Sequence, residues 1–138
     1  MILLDSTVVV GFLDADDALH DVTLARLKML ASKHSFVASV ITYAEVMTGV
    51  SLGHHDQSAV DAFFDAVLTD LLPVDKPLAA RAAVLRGRNA SLRMPDALIL
   101  ATANVNDDVE LVLCADSAWP RVRGLSCRVE LLKPSGFV

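Results

Sequence analysis

Asp5, Glu45, Asp96 and Asp116 each stand where an apolar run breaks into a turn or opens a helix. Asp5 ends Ile2-Leu3-Leu4. Glu45 follows Phe36-Val37-Ala38-Ser39-Val40. Asp96 opens the apolar stretch 97–103, and Asp116 ends Leu111-Val112-Leu113-Cys114-Ala115. Three such runs, laid parallel in one sheet, bring their carboxyl ends and the following helix starts to a single edge, where open α/β sheets build their sites. Carboxylates gathered there repel one another and resist ionisation unless a cation neutralises them. Oxygen ligands suit a hard divalent ion such as magnesium or manganese. Two such ions, roughly 3.5–4 Å apart, activate water and stabilise the leaving oxygen in phosphodiester hydrolysis. That chemistry needs no side-chain nucleophile, which fits a chain with no histidine near these acids.

Each acid also has an ordinary explanation. Asp5 can serve as a helix N-cap. Glu45 lies three residues after Thr42, the spacing of a capping box, unless Ser39 caps the helix and leaves Glu45 deeper inside. Asp116 can be a turn residue. Asp96 is the hardest to dismiss, since its neighbours are Ala97-Leu98-Ile99-Leu100-Ala101. An ionised group in such company costs several kcal/mol unless paired. A helix N-terminus returns only about 0.3–1 kcal/mol of that.

The elements that must position these residues follow from pattern. Residues 1–5 read as a buried strand and Ser6 to Leu13 as a helix, followed by the polar turn Asp14-Ala15-Asp16-Asp17. That acidic turn lacks the glycine and distal glutamate of a calcium loop and reads as a solvated loop. Residues 18–32 have helical spacing. Ser35 to Val40 is a second strand. A helix then runs to about Thr48, with Gly49 suited to its end. Leu52-Gly53-His54-His55 is a loop whose adjacent histidines match no metal pair. Asp56 caps a further helix. Leu71 to Val74 reads as a short third strand, held to an edge by Pro73. Residues 77–89 form an Ala- and Arg-rich helix, and Asn89-Ala90-Ser91 is a connector. Pro95 fits the first turn of a buried helix running to about Asn104. Leu111 to Ala115 and Cys127 to Leu132 supply the fourth and fifth strands. Strands alternate with helices throughout, with no linker or repeat. The expectation is one three-layer α/β/α domain over residues 1–138 with a mainly parallel four- to five-stranded sheet.

Bulk properties agree. The chain has 138 residues, 54% of them hydrophobic and only 5% aromatic, a core of aliphatic side chains suited to strands covered on both faces. No apolar stretch approaches the roughly 18 residues of a membrane span. Met1 runs straight into a strand without a basic leader, and Cys114 and Cys127 form no metal-type pair. The expected location is cytoplasmic. The formal net charge is −5, unevenly spread. Residues 1–75 carry 11 acids against three bases, whereas residues 76–138 carry nine bases against six acids. With the four acids above set aside, 13 acids face 12 bases, so a phosphate-bearing substrate is compatible with the charge.

With these residues in view, the chain resembles the PIN-domain ribonucleases, in particular the VapC-type toxins of bacterial toxin–antitoxin pairs. Four segments carry the likeness: Ile2-Leu3-Leu4-Asp5-Ser6-Thr7; Ala38-Ser39-Val40 through Ala44-Glu45-Val46; Leu92-Arg93-Met94-Pro95-Asp96 through Thr102-Ala103; and Leu113-Cys114-Ala115-Asp116 with Trp119 to Leu125. The resemblance implies a PIN-like fold and metal-dependent endonucleolytic cleavage of RNA. It also implies a homodimer, and inhibition by a small VapB-type antitoxin whose tail occupies the site. It assigns Asp5, Asp96 and Asp116 to a principal Mg2+ or Mn2+ ion, with Glu45 supporting a second ion or orienting the attacking water. The family often has Thr or Ser where this chain has Cys114. A thiol is a poor partner for magnesium, so Ser117 or Ser6 would have to supply the hydroxyl. Arg93, Arg121 and Arg123 flank the last two acidic motifs and are candidates for phosphate contact, or else part of a solvated face. Trp119 reads as core filling.

Three rival readings frame the tests. A catalytically inactive PIN-like binding module would keep the fold and lose the chemistry. A receiver-type phosphoacceptor domain shares size and magnesium chemistry, with Lys133-Pro134 after a last strand. It lacks the paired acids after the first strand and an acceptor Asp after a middle one, and only four residues follow Pro134. A nucleotide-binding enzyme would need a Gly-rich loop after the first strand, which is absent.

Overall fold

The structure, a computed structural model, describes residues 1–134. Short runs of Val, Leu, Ile and Ala form five strands: β1 (Ile2–Leu4), β2 (Phe36–Ser39), β3 (Leu68–Leu72), β4 (Leu111–Cys114) and β5 (Arg128–Leu131). They make one sheet in the order β3-β2-β1-β4-β5, and every pairing is parallel. The helices are α1 (Ser6–Leu13), α2 (His20–Leu30), α3 (Val40–Ser51), α4 (Gln57–Ala66), α5 (Lys76–Arg88) and α6 (Met94–Val105), with a 3-10 turn at Trp119–Arg121.

Strand periodicity divides the core. Leu3, Val37, Val112 and Cys114 point to one face, where Leu78, Ala82 and Leu85 of α5 and Ile99, Leu100 and Ala103 of α6 cover them. Ile2, Leu4, Phe36, Ala38, Leu111 and Leu113 point to the other, against Val8, Val9, Leu27, Val46, Val60 and Phe63 of α1 to α4. Successive strand residues face opposite layers, so an aliphatic run buried on both sides yields three layers. This is the expected fold, with all five strands present and the sheet wholly parallel.

The strand order decides where a site can form. The chain leaves β1 toward β2 and β3, then returns to lay β4 on the other flank of β1. The order reverses between β1 and β4, and a crevice opens beyond their carboxyl ends. Receiver domains order their strands 2-1-3-4-5, so this topology removes that rival.

Boundaries differ from expectation in three places. β3 starts at Leu68 and stops at Leu72, because Pro73 has no N–H to continue the ladder. It does lie at an edge. Helix α3 passes through Gly49 to Ser51, and a Cβ at Gly49 would run into the His55 ring. Gly53 ends the helix instead, at φ 79°. Its N–H donates to Val50 O at 3.0 Å and that of His54 to Gly49 O at 2.8 Å, the paired bonds of a Schellman cap. A side chain at Gly53 meets no neighbour, so Gly53→Ala isolates the backbone strain. It is expected to cost about 1–2 kcal/mol in a urea unfolding titration, with no effect on the site. Third, Ser39 caps α3, its Oγ accepting from Ile41 N at 3.0 Å. Glu45 therefore lies in the second turn, and the capping-box explanation built on Thr42 fails.

Candidate active site at the sheet switch point

The four acids arrive at this edge by separate routes. Asp5 follows β1 directly, at the N-cap position of α1, yet its side chain makes no cap hydrogen bond. It is 3% exposed. Its carboxylate turns to Thr7, whose Oγ1 donates to Asp5 Oδ2 at 2.7 Å and accepts from Ala115 N at 3.1 Å. Since Asp5 N also donates to Leu113 O at 3.0 Å, Thr7 ties the ends of β1 and β4 together and fixes the carboxylate across the join. Sequence reasoning missed this role, although a hydroxyl two residues past a strand-end acid was its available signal.

Glu45 projects from the second turn of α3. Its Oε1 is buried without a hydrogen-bond partner. Ser6 Oγ stands 3.5 Å from Asp5 Oδ1, a long contact, and also lowers the pKa of Glu45. One hydroxyl proton thus serves two carboxylates and satisfies neither fully.

Asp96 is in the first turn of α6, where Pro95 precedes it and Ala97, Ile99 and Leu100 are buried. Arg93 Nε approaches Asp96 Oδ2 at 3.9 Å from a side chain 75% exposed. Such an exposed pair contributes about 0–1 kcal/mol, less than the cost of placing the charge there. The buried Trp119 Nε1 makes no hydrogen bond of standard geometry, yet it lies near enough to Asp96 to lower its pKa. Asp116 fulfils its ordinary role with one oxygen: Oδ1 accepts from Ala118 N at 2.9 Å, an Asx turn.

The acids feel one another in sequence. Burial pushes the Asp5 carboxyl up from 3.8 to about 6; Thr7 and Ser6 hold it down in part, and Glu45 raises it further. Burial also raises Glu45, with Asp96 adding to the shift and Arg93 opposing it. Asp96 is raised by burial and by Asp116, against Arg93 and Trp119. Each consecutive pair from Asp5 through Glu45 and Asp96 to Asp116 is thus within Coulombic reach. Among the described residues, however, no three Asp, Glu, His or Cys side chains stand together closely enough to hold an ion. Three of the four acids instead border two hollows, and Asp5 lines neither. Asp96 and Asp116 line a cleft of about 400 Å³ with Arg93, Arg121 and Trp119. Glu45 lines a second of about 270 Å³ with Ser6, Thr7 and Ala115.

This donor set fits a hard divalent cation in chemistry: it offers carboxylate and hydroxyl oxygens, one buried carboxylate oxygen lacks any standard hydrogen bond, and three acids are raised by burial and then by one another. Cys114 does not join the donors. It is wholly buried, burial drives its thiol up to about 12, and Sγ contacts Asp116 O at 3.6 Å. It therefore supports the turn beneath Asp116 as a neutral thiol. None of the four histidines lines either hollow. His20 Nδ1 meets Gly11 O at 2.9 Å, and His34 Nδ1 meets Glu110 at 2.6 Å. Of the three arginines singled out from sequence, Arg93 and Arg121 line the larger cleft. Arg123 stands behind it, its backbone held by Asn89.

Comparison with known proteins gives the family and the fold. The PIN domain family profile matches residues 2–125. No curated protein matches the chain. Among solved structures, VapBC2 from Rickettsia felis, bound to a promoter DNA fragment, superposes with TM-score 0.76 at 20% identity over 96% of this chain and 100% of that one. FitAcB from Neisseria gonorrhoeae gives 0.73 at 23% identity, covering 99% and 100%. VapC20 from Mycobacterium tuberculosis, described as a sarcin–ricin loop cleaving toxin, gives 0.70 at 18% identity, covering 93% and 99%.

Proposed function

We propose, from the premise that this chain belongs to the PIN-domain family, that it is a divalent-metal-dependent endoribonuclease and the toxin of a toxin–antitoxin pair. One observation carries the reading. Four carboxylates border the edge of the sheet at its switch point, three of them raised by burial and by one another. A purely structural edge gains nothing from such a set.

In this reading Asp5, Asp96 and Asp116 would hold the ion, with Glu45 beside them. Magnesium or manganese, when bound, supplies a Lewis acid that makes water nucleophilic near neutral pH and offsets charge on the departing oxygen. The chain supplies the rest. Thr7 fixes the carboxylate of Asp5. Glu45, with its buried Oε1, would support a second ion or orient the attacking water. The Asx turn at Asp116 leaves its second oxygen for a ligand. No side chain acts as nucleophile.

The partners are an RNA substrate, a small VapB-type antitoxin and a second copy of the chain. Support for the antitoxin comes from the solved relatives, which include toxin–antitoxin assemblies. No described helix is long and apolar enough to cross a membrane, and the proposed location is cytoplasmic.

Expression of the wild-type chain in a bacterial host, beside Asp5→Asn, tests the reading. The wild type should arrest growth and generate new RNA ends, and the variant should do neither. Equal growth with identical RNA ends refutes it. The separation of the acids favours one alternative, an inactive PIN-like scaffold. Calorimetry decides: a scaffold shows no magnesium or manganese binding that Asp96→Asn abolishes.

A further inference from the structure

The larger cleft is lined by both charges, Asp96 and Asp116 together with Arg93 and Arg121. Both arginines are exposed. Arg93 has only its loose 3.9 Å approach to Asp96, and Arg121 makes no side-chain ion pair among the described residues. Further arginines crowd behind them. Arg86 Nε donates to Leu92 O at 2.9 Å, bracing the connector that carries Arg93. Arg88 lies against Gly124, and Asn89 ties Arg123 to the end of α5 through bonds of 3.0 and 2.9 Å. Five exposed arginines therefore ring one rim of a chain whose net charge is −5. Trp119 belongs to the same place: it is 1% exposed, lines the cleft, and lies near Asp96 without a hydrogen bond of standard geometry.

We infer that this rim seats the phosphodiester backbone of the RNA strand beside the cleavage point, with Arg93 and Arg121 in direct contact with phosphate. The inference rests on the ribonuclease reading and adds the strand's path: across the connector between α5 and α6 and over the 3-10 turn. Planar guanidinium groups bind phosphate oxygens through paired N–H donors. Placed beside the acids, they hold a polyanion that the carboxylates alone would repel. The contacts read backbone, not base, so they position the strand and confer no sequence preference.

Fluorescence anisotropy of a 5′-labelled single-stranded RNA, measured in EDTA so that nothing is hydrolysed, tests this. Arg93→Gln and Arg121→Gln should each weaken binding by roughly tenfold at low salt and lower the slope of log affinity against log salt by about 0.7, one phosphate contact of a single strand. Arg128→Gln, at the opposite edge of the sheet, should change neither. Equal losses in all three variants, or no saturable binding by the wild type, would overturn the inference. Trp119 is the chain's single tryptophan, so RNA should shift its emission in the wild type and not in the Arg93→Gln/Arg121→Gln double variant. A shift of equal size at equal RNA concentration in the double variant means that the strand reaches the cleft without these arginines and would overturn the inference. Unlabelled single-stranded RNA should displace the probe; displacement by duplex DNA alone would also overturn the assignment. The two readings fail separately. Binding lost in the arginine variants of a chain that never cleaves sinks the nuclease alone, whereas cleavage with unchanged affinity sinks the seat alone.

Discussion

Asp96→Asn is expected to lower RNA cleavage by roughly 100-fold or more, the scale on which enzymes lose rate when one group acting on transition-state charge is removed. The substitution keeps shape and volume and removes only charge. Asp96 sits in the first turn of α6 among buried apolar residues, with burial and Asp116 both opposing its ionisation. Neutralising it therefore relieves the folded state, and the melting temperature should rise or hold while activity collapses. A structural aspartate would show the reverse, with stability falling and activity following in proportion. Asp61→Asn on the exposed face of α4 is the control and should alter neither. Purified protein, one RNA substrate and manganese suffice. Retention of more than a tenth of wild-type activity by Asp96→Asn would remove this residue from the site.

In the absence of divalent ions the protein should become more stable as pH falls from about 6 toward 4. Asp5 titrates near 3.8 in the unfolded chain and at about 6 in the folded one. The folded state thus binds the proton more tightly. Its stabilising effect is complete below the unfolded value and is lost as pH rises through the folded one. Two units correspond to about 3 kcal/mol. Glu45 and Asp96 are shifted in the same direction and add to the slope. Asp5→Asn should raise stability at pH 7 by up to about 3 kcal/mol and flatten the profile between pH 4 and 6, as read from urea titrations in EDTA. Parallel profiles for wild type and variant would show that Asp5 bears no such burden. Magnesium at 100 times its dissociation constant would stabilise the folded wild type by about 2.7 kcal/mol, and should do less for Asp5→Asn.

Both effects trace to one conflict between local preference and site. Asp5 occupies an N-cap position and caps nothing. Glu45 has Ser39, not Thr42, as the cap of its helix. Asp96 enters the first turn of a helix whose remaining face is buried. Where the side chain departs from what its helix position would reward, function is the economical explanation.

The sequence by itself determined the layers. Aliphatic runs too short for helices, alternating with amphipathic or buried helical stretches, admit little besides a parallel sheet covered on both faces. Asp5 and Asp116 could be placed at strand ends, and Asp96 at a helix start, because local pattern governs those positions. The sequence also named Arg93 and Arg121. It misjudged the end of α3, since a glycine within a helix and a glycine ending one look alike until φ is known. Tertiary structure alone decided the order β3-β2-β1-β4-β5, which sets β1 beside β4 and so brings Asp5 near Asp116 across 110 intervening positions. It alone showed Thr7 bridging those two strand ends and Trp119 beside Asp96, and it divided Glu45 from Asp96 and Asp116 between two hollows. Strand neighbours and side-chain directions are products of packing between distant segments, and no window of contiguous residues contains that information.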